Sequence, residues 1–218
     1  MSIRPHSRSS ALILVAATMV LLGTLYFASL RLGYTHISNT ISELGETGAP
    51  RARLVAFGFF LPVGLTVWLA LWLIHRTGPD KEASLILIAL SCLDTGYVVS
   101  AFVPCDPGAP LFGSWRTLVH NLAGLMDYGG TAIGFLLVSR RCAKNGAATQ
   151  SAGFVVAGAL GLVCLTLLCL QPAFHVRGAV QRLAEVIQFT GVFFACFLLS
   201  RRMPPDVQVL TIDSAGAQ

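Results

Sequence analysis

Apolar residues along this chain gather into six long runs that are separated by short polar connections. The runs cover residues 11–30, 54–74, 84–103, 118–139, 152–170 and 180–199. A helix needs about 20 apolar residues, at about 1.5 Å each, to cross the hydrocarbon core of a bilayer. The pattern therefore predicts an all-α polytopic transmembrane bundle of six spans. We expect residues 1–203 to form one domain and residues 204–218 to be a disordered tail.

The composition supports this interpretation. Only 11% of the residues are charged and the mean hydropathy is +0.72, whereas a soluble domain carries about 25% charged residues. The net charge of +5 comes from short basic flanks beside the spans, which argues against binding to nucleic acid. We expect neither a nucleic-acid partner nor a cofactor.

The distribution of basic residues predicts the orientation. If the N-terminus lies inside, the inner connections and tails carry nine Arg and Lys residues and the outer connections carry six. This bias predicts cytoplasmic termini and a place in the plasma (inner) membrane. Arg4 and Arg8 precede the first run as they do in a secretory signal, but a signal has an apolar region of only about 7–15 residues. We expect the first run to be retained as a span.

Small residues and one proline predict how the spans pack. Pro62 lies within the second span and predicts a kink there. Gly130 and Gly134 in the fourth span, and Gly153 and Gly161 in the fifth, are spaced so that a neighbouring helix can approach closely. These faces also make a homo-oligomer a candidate assembly.

The predicted outer connections carry most of the local signals. Residues 36–44 place apolar side chains on one helical face, and Thr40 with Glu43 matches a capping box, so we predict a short amphipathic helix on the membrane surface. Residues 106–108 read Asp-Pro-Gly, which predicts a tight turn. Among six cysteines only Cys105 falls in an outer connection, so no disulfide framework is expected outside.

Two acidic residues lie deep within predicted spans. Asp94 and Asp127 are each about nine residues from the outer end of their spans, which places them roughly 13–14 Å down, near the bilayer midplane. An ionised Asp at this depth costs at least about 2.5–3.5 kcal/mol if it faces lipid. We therefore expect both side chains to point inward and to face each other.

Further polar residues line the outer halves of the same spans. Arg116, His120 and Asp127 fall on one face of the fourth span, and Arg182 and Glu185 fall on one face of the sixth. These stripes predict a polar cleft that opens to the outside. Its candidate binding residues are Glu43, Asp106, Arg116, His120, Asn121, His175, Arg177 and Arg182. The candidate catalytic residues are Asp94, His120, Asp127 and Glu185.

Each part of this cleft also has a purely structural interpretation. His120 and Asn121 can satisfy loop carbonyls at the start of the fourth span. Arg182 and Glu185 can form an ion pair at the membrane interface, and Asp94 can hydrogen-bond Tyr97 or Ser91. These alternatives remain open at the level of sequence.

With these motifs identified, the chain resembles the DUF998 family of six-span membrane proteins of undefined function. The resemblance rests on residues 39–45 (NTISELG), residues 104–108 (PCDPG) and the pair His120-Asn121. It implies that these motifs lie on the outer side, in agreement with the charge count. The chain is more loosely similar to six-span proteins of the Frag1/DRAM/Sfk1 type. Neither resemblance supplies a reaction.

Three functions are compatible with the pattern. The first is a non-enzymatic protein that binds lipid headgroups or a membrane partner in the outer cleft, because basic residues surround it. The second is a metal-dependent intramembrane lipid hydrolase with a zinc site built from His120, His175 and Asp127, although no His-x-x-x-His pair is present. The third is a small transporter or proton relay that uses Asp94 and Asp127. Whether the protein is an enzyme stays open.

Overall fold

The computed structural model describes residues 5–170 and 175–200. Within these residues the chain is helical and contains no strand. The helices are α1 (Pro5–Ser29), α2 (Ala52–Val55), α3 (Leu61–His75), α4 (Lys81–Leu90), α5 (Cys92–Phe102), α6 (Trp115–Lys144), α7 (Ala148–Cys169) and α8 (Arg177–Ser200). The predicted fold class is confirmed, and the predicted tail lies outside the described residues.

Six helical segments are long and apolar enough to cross a membrane. They are Arg8–Ser29, Ala52–His75, Lys81–Phe102, Trp115–Lys144, Ala148–Cys169 and Arg177–Ser200. Each overlaps one of the six predicted runs, and α6 extends five residues beyond its run because Arg140 and Arg141 continue the helix.

The six spans form a ring in chain order. α1 packs on α3, α3 on α5, α5 on α6, α6 on α7, α7 on α8, and α8 closes the ring against α1. α8 also contacts α3 and α6, so it lies toward the middle of the bundle. Fully buried apolar side chains such as Phe59, Phe135 and Val192 fill the interior.

Two spans contain an irregular helical turn. In the second span, a π-helical turn over Ala56–Phe60 precedes Pro62, where the sequence predicted a kink. Proline has no N–H, and its ring clashes with the carbonyl of residue i−4, so the wider turn makes room for the ring. The third span is irregular at Ser91, between α4 and α5, but the Ser91 N–H still donates to the Leu87 carbonyl oxygen at 2.9 Å.

The small residues differ in what they contact. A Cβ atom added at Gly130 would lie 2.5 Å from the Cβ of Cys92, and one at Gly134 would lie 2.6 Å from Leu90, so the fourth span packs closely on the third as predicted. An added Cβ at Gly153 or Gly161 would meet nothing within 4 Å. Gly153 and Gly161 therefore do not mediate close packing, whereas an added Cβ at Gly158 of the same span would lie 3.3 Å from the Ala132 carbonyl oxygen of α6.

The two ends of the bundle have different polar structure. We call the end that holds residues 30–51 and 103–114 the motif end, and the opposite end the basic end. At the basic end, Arg141 pairs with Asp80 at 2.8 Å and Lys144 pairs with Glu82 at 2.7 Å. Asp80 also accepts a hydrogen bond from the first turn of α4, and the Arg141 hydrogen bond lowers the pKa of Asp80 to about 2.

Candidate functional site

The segment predicted as a surface helix is instead folded inward at the motif end. Only Ser42–Gly45 is helical, as a single 3₁₀ turn, and Ile41 and Leu44 are buried while Ile37 is 62% exposed. The capping box is present, since Glu43 Oε1 accepts from the Thr40 N–H at 2.8 Å and the Glu43 N–H donates to Thr40 Oγ1 at 3.4 Å. The prediction of an amphipathic surface helix was wrong, because the Glu43 side chain points into the protein rather than toward solvent.

A buried ion pair explains this inward fold. The Arg177 guanidinium donates to Glu43 Oε1 at 2.6 Å, and both side chains are buried. Asn39 Nδ2 donates to the other carboxylate oxygen at 2.7 Å. Arg177 also donates to the carbonyl oxygens of Gly108 and Ala109, at 2.5 and 3.2 Å. Arg177 therefore ties the start of α8 to both motif-bearing connections.

The connection at 104–108 is held by a second set of contacts. Glu46 accepts from the Gly108 N–H at 2.6 Å and from the Arg31 guanidinium at 2.5 Å. The predicted Asp-Pro-Gly turn is present, because the Ala109 N–H donates to the Asp106 carbonyl at 3.0 Å and Gly108 has a φ of 80°. Positive φ at this position is readily adopted only by glycine.

Asp106 itself organises the start of α6. Its carboxylate accepts from the Ser114 N–H at 2.7 Å and from the Ser114 hydroxyl at 2.8 Å. These hydrogen bonds lower the pKa of Asp106. Its backbone N–H donates to the Thr117 hydroxyl at 2.8 Å. Asp106 thus joins the connection to the helix that follows it.

The remaining residues predicted to line the cleft do not lie together in the structure. Asn121 donates to the carbonyl oxygens of residues 110 and 111, both at 2.9 Å. This agrees with the structural alternative, in which Asn121 satisfies loop carbonyls at the start of the fourth span. Arg116 is exposed and lies over the Trp115 ring, and His175 is exposed. His120 is buried, with Nδ1 3.0 Å from the Val103 carbonyl oxygen.

His120 does line a small, partly open cavity. This cavity has a volume of about 50 Å³ and lies between α5, α6, α8 and residues 41–42. Asp127 and Glu185 line it as well. Glu185 accepts from the Tyr97 hydroxyl at 2.8 Å and from the Tyr128 hydroxyl at 2.9 Å. The structure therefore joins three of the four candidate catalytic residues in one cavity.

The fourth candidate, Asp94, lies near this cavity but does not line it. Its side chain is 6% exposed, and its Oδ1 atom makes no hydrogen bond within the described residues. It is close enough to Asp127 for the two charges to interact. The suggested Asp94–Tyr97 hydrogen bond is absent, because the Tyr97 hydroxyl points to Glu185.

A larger feature is a groove between the first and last spans. It has a volume of about 630 Å³ and runs between residues 13–25 of α1 and 182–194 of α8. Most of its walls are aliphatic or aromatic, and Leu14, Leu21 and Val186 are each at least 60% exposed. The exposed walls show that the groove opens sideways, toward the surface that faces lipid.

The motif end of the groove is polar. Arg182, Glu185, Thr24 and His36 line it there. Arg182 donates to the carbonyl oxygens of Asn39 and Gly178 at 2.9 and 2.8 Å. It also donates to the Tyr34 hydroxyl at 2.7 Å. The ion pair suggested between Arg182 and Glu185 is absent, since among the described residues no carboxylate lies within ion-pair distance of Arg182.

The Tyr34 ring lies beside this guanidinium, and the His36 ring lies beside Tyr34. The Tyr34 ring lies 5.7 Å from the Arg182 carbon and also 5.7 Å from the His36 ring. Burial, followed by the nearby Arg182 charge, lowers the pKa of His36. His36 is therefore neutral near pH 7, and Arg182 is the cation at this end of the groove.

Sequence reasoning missed the groove. It placed Arg182 on a polar stripe, but it did not connect this residue to α1, whose residues 11–28 are apolar apart from hydroxyls such as those of Thr18 and Thr24. No sequence pattern states that the first and last spans are neighbours. The signals that were available are Arg182 in the part of the last span nearest the motif end and His36 just after the first span.

Metal-ligating residues do not cluster in the described part of the chain. No group of three or more His, Cys, Asp or Glu side chains is placed to hold a metal ion there. Of the suggested zinc ligands, His120 and Asp127 line the small cavity between α5, α6 and α8, whereas His175 is exposed and does not line it.

Cys105, the one cysteine of the motif end, offers a test of how tightly the connections at that end are packed. Cys105 is fully buried, and burial followed by the Glu46 charge raises its pKa to about 12. Because the thiolate is the reactive form, we expect maleimide to modify Cys105 at least about 100-fold more slowly than a cysteine placed at exposed Ser114. Mass spectrometry of the native protein at pH 7.5 measures both rates. Equal rates would contradict the burial of Cys105.

A closed ring of six apolar helices, with its polar connections folded over one end, defines a polytopic α-helical membrane protein. The chain belongs to the family described as "Protein of unknown function (DUF998)", whose model matches residues 14–198. No curated protein and no solved structure matches the chain. The family assignment agrees with the resemblance seen in the motifs, and these motifs are the residues that hold the motif end together.

Proposed function

We propose that this protein binds a single anionic membrane lipid, with its headgroup at Arg182 and one acyl chain in the groove between α1 and α8. The observation that carries the proposal is an apolar groove, open to the lipid side, with one cation at one end. This places lipid binding at a different site from the cleft expected from sequence. Glu43, Asp106 and Arg177 hold the connections together, and the headgroup contact falls to Arg182.

The length of the groove fits one leaflet. Its walls extend over about 12 residues of each helix, which corresponds to roughly 18 Å at about 1.5 Å per residue. Half of a ~30 Å hydrocarbon core is about 15 Å. An acyl chain in the groove would therefore extend from the interface to near the bilayer midplane.

Charge supports an anionic headgroup. The guanidinium of Arg182 already donates to two carbonyls and one hydroxyl, which fix its position. In the described residues it lacks a carboxylate partner, and a phosphate or carboxylate headgroup would supply one. Arginine binds both groups well because its planar donors match their oxygens.

His36 predicts how binding depends on pH. An anion beside His36 would favour its protonated form and so raise its pKa from the lowered value. Binding would then take up a proton, and by linkage the affinity would increase as the pH falls from about 7 toward 5. His36→Gln should remove this pH dependence while leaving Arg182 in place.

The charge count supports an outer position for the motif end, and we propose that the site faces the outer leaflet of the plasma (inner) membrane. The exposed Arg116, at the same end but outside the groove, offers a matched control for the charge of Arg182.

Native mass spectrometry of the purified protein with phosphatidylglycerol and phosphatidylcholine tests the proposal. We expect preferential binding of one phosphatidylglycerol, and Arg182→Gln should weaken it by about tenfold or more, because a charge-assisted hydrogen bond contributes about 1.5–3 kcal/mol. Arg116→Gln should leave binding unchanged.

A second variant separates lipid binding from folding, since Arg182 also holds loop carbonyls. Val186→Trp fills the exposed groove wall without entering the core, so it should displace the lipid while the unfolding temperature stays close to that of the wild type. If Val186→Trp and Arg182→Gln both retain one tightly bound phosphatidylglycerol, the groove is not the site and the proposal fails.

A further inference from the structure

We propose that the lipid held between α1 and α8 is a lysophospholipid, whose free glycerol hydroxyl accepts a hydrogen bond from Thr24 and donates one to Glu185. This rests on the lipid binding proposed above, because it names the class of lipid that the same groove would hold. The observation that carries it is a buried hydroxyl at the motif end of the groove that has no hydrogen-bond partner among the described residues.

Thr24 supplies this hydroxyl. The residue lines the groove, its side chain is only 5% exposed, and its Oγ1 atom makes no hydrogen bond within the described segments. A buried hydroxyl without a partner is costly and rare. A threonine in a helix has two favoured rotamers about χ1, so rotation can turn the hydroxyl to the groove. A ligand in the groove would then supply the partner.

Thr18 shows the ordinary state of such a residue. It lies on the same helix and also lines the groove, but its hydroxyl donates to the Leu14 carbonyl oxygen of its own helix at 2.8 Å. This bond to residue i−4 is a common arrangement for a helical threonine. Thr24 lacks the corresponding bond, and this difference indicates a partner from outside the helix.

Glu185 supplies acceptors at the same end of the groove. Its two carboxylate oxygens accept from the Tyr97 and Tyr128 hydroxyls, at 2.8 and 2.9 Å. Each carboxylate oxygen has two lone pairs, so each can accept one more hydrogen bond. No Arg or Lys in the described parts of the chain forms an ion pair with Glu185. The ligand group beside Glu185 should therefore be a hydrogen-bond donor.

The two side chains lie where a lipid changes from headgroup to chain. Arg182 is five residues from the start of α8, and Thr24 is five residues from the end of α1. At about 1.5 Å per residue, each is about 7.5 Å from the motif end of its helix. Glu185 is about one turn deeper. With the headgroup phosphate at Arg182, the lipid group that meets Thr24 and Glu185 is the glycerol that carries the chain.

A free hydroxyl suits these two residues better than an ester does. In a diacyl lipid the glycerol carries two esters, whose oxygens only accept hydrogen bonds, so they would face the carboxylate of Glu185 without a donor. A lysophospholipid has a hydroxyl in place of one ester. A hydroxyl donates one hydrogen bond and accepts others, so one group can satisfy Thr24 and Glu185 together.

The size of the groove agrees with a single chain. Its volume is about 630 Å³. A methylene group has about the volume of a water molecule, about 30 Å³, so the groove holds about 20 methylene groups. This is one long acyl chain, whereas two chains would need about twice the space.

Native mass spectrometry of the purified full chain tests the class of lipid. The probes share a phosphoglycerol headgroup and oleoyl chains: oleoyl lysophosphatidylglycerol, its methyl ether at the free glycerol hydroxyl, and dioleoyl phosphatidylglycerol. We expect the lysolipid to bind about tenfold more tightly than the methyl ether, because the ether loses the donor to a carboxylate. The diacyl lipid should also bind more weakly than the lysolipid.

Thr24→Val tests the residue, because it removes the hydroxyl and keeps the branched shape. It should weaken lysolipid binding by about fivefold. The unfolding temperature without lipid should stay level or rise, because the hydroxyl has no partner to lose. Thr24→Ser retains a hydroxyl and should retain the affinity. Thr18→Val is the matched control and should leave binding unchanged, because that hydroxyl is already bonded within the helix.

Failure of this inference differs from failure of the lipid site. If the lysolipid and its methyl ether bind equally, and both weaken in Arg182→Gln, the groove binds lipid but the lysolipid assignment is overturned. Equal lysolipid affinity of the wild type and Thr24→Val would also overturn it. If no probe is weakened by Arg182→Gln or by Val186→Trp, the lipid site itself fails, and this inference fails with it.

Discussion

Replacing Arg177 with methionine should destabilise the protein by about 3–5 kcal/mol, the expected cost of leaving one member of a buried ion pair alone. Arg177→Met leaves the Glu43 carboxylate buried without its cation and also removes the donors to the carbonyls of residues 108 and 109. In a protein of this size the unfolding temperature in mild detergent should fall by roughly 10 °C.

The opposite end of the bundle supplies the control. Arg141→Gln breaks an ion pair of similar geometry with Asp80, but that pair is exposed, so the loss should be at most about 1 kcal/mol. The double variant Glu43→Gln/Arg177→Met should be more stable than Arg177→Met alone, because no charge is left buried. If Arg177→Met and Arg141→Gln lowered the stability equally, Arg177 would not be the residue that holds the two motif-bearing connections to α8.

Gly178→Ala should give the second large effect. An added Cβ at Gly178 would overlap the carbonyl oxygen of Asn39 and would lie 2.9 Å from the carbonyl oxygen of His36. Both neighbours are backbone atoms, so no side-chain rotation relieves the clash. We expect a loss of about 1–3 kcal/mol, together with weaker lipid binding, because the same segment carries His36 and positions Arg182.

Gly153→Ala is the matched control for that substitution. Gly153 lies in α7, and an added Cβ there meets nothing within 4 Å. Alanine also favours the helix by about 1 kcal/mol relative to glycine. Unfolding temperatures should therefore fall for Gly178→Ala and stay level or rise for Gly153→Ala. A fall of equal size in both would show that the start of α8 does not pack tightly on residues 36–39.

The architecture was accessible from sequence because one physical requirement dominates it. A helix that crosses a bilayer needs a long apolar run, and six such runs gave the number and the order of the spans. Local turn chemistry was also readable, as with the capping box of Thr40 and Glu43 and the positive φ of Gly108. These features depend on residues close together in the chain.

The candidate site depends on contacts between residues that are far apart in the chain. Glu43 meets Arg177 across 134 positions, and Tyr97 meets Glu185 across 88. Sequence reasoning recognised that the buried acids needed partners, but it could not choose among Tyr, Arg and Asp as those partners. It also assigned the motif residues to a ligand, whereas Glu43, Asp106 and Asn121 hold the connections of the motif end together.

The groove could not be predicted from the sequence for a different reason. Its existence depends on the closure of the helix ring, which makes α1 and α8 neighbours. The apolar face of α1 has the same composition whether it contacts lipid, another helix or a bound acyl chain. Only the position of Arg182 relative to that face distinguishes these cases.

The most direct test is an electron cryomicroscopy map of the wild-type protein in nanodiscs that contain phosphatidylglycerol. We predict elongated density in the groove between α1 and α8, with a headgroup within hydrogen-bond distance of Arg182 and a chain that reaches the level of Phe194. A well-resolved map in which side chains of α1 and α8 close the groove, or in which ordered lipid lies elsewhere and the groove is empty, would contradict lipid binding at this site.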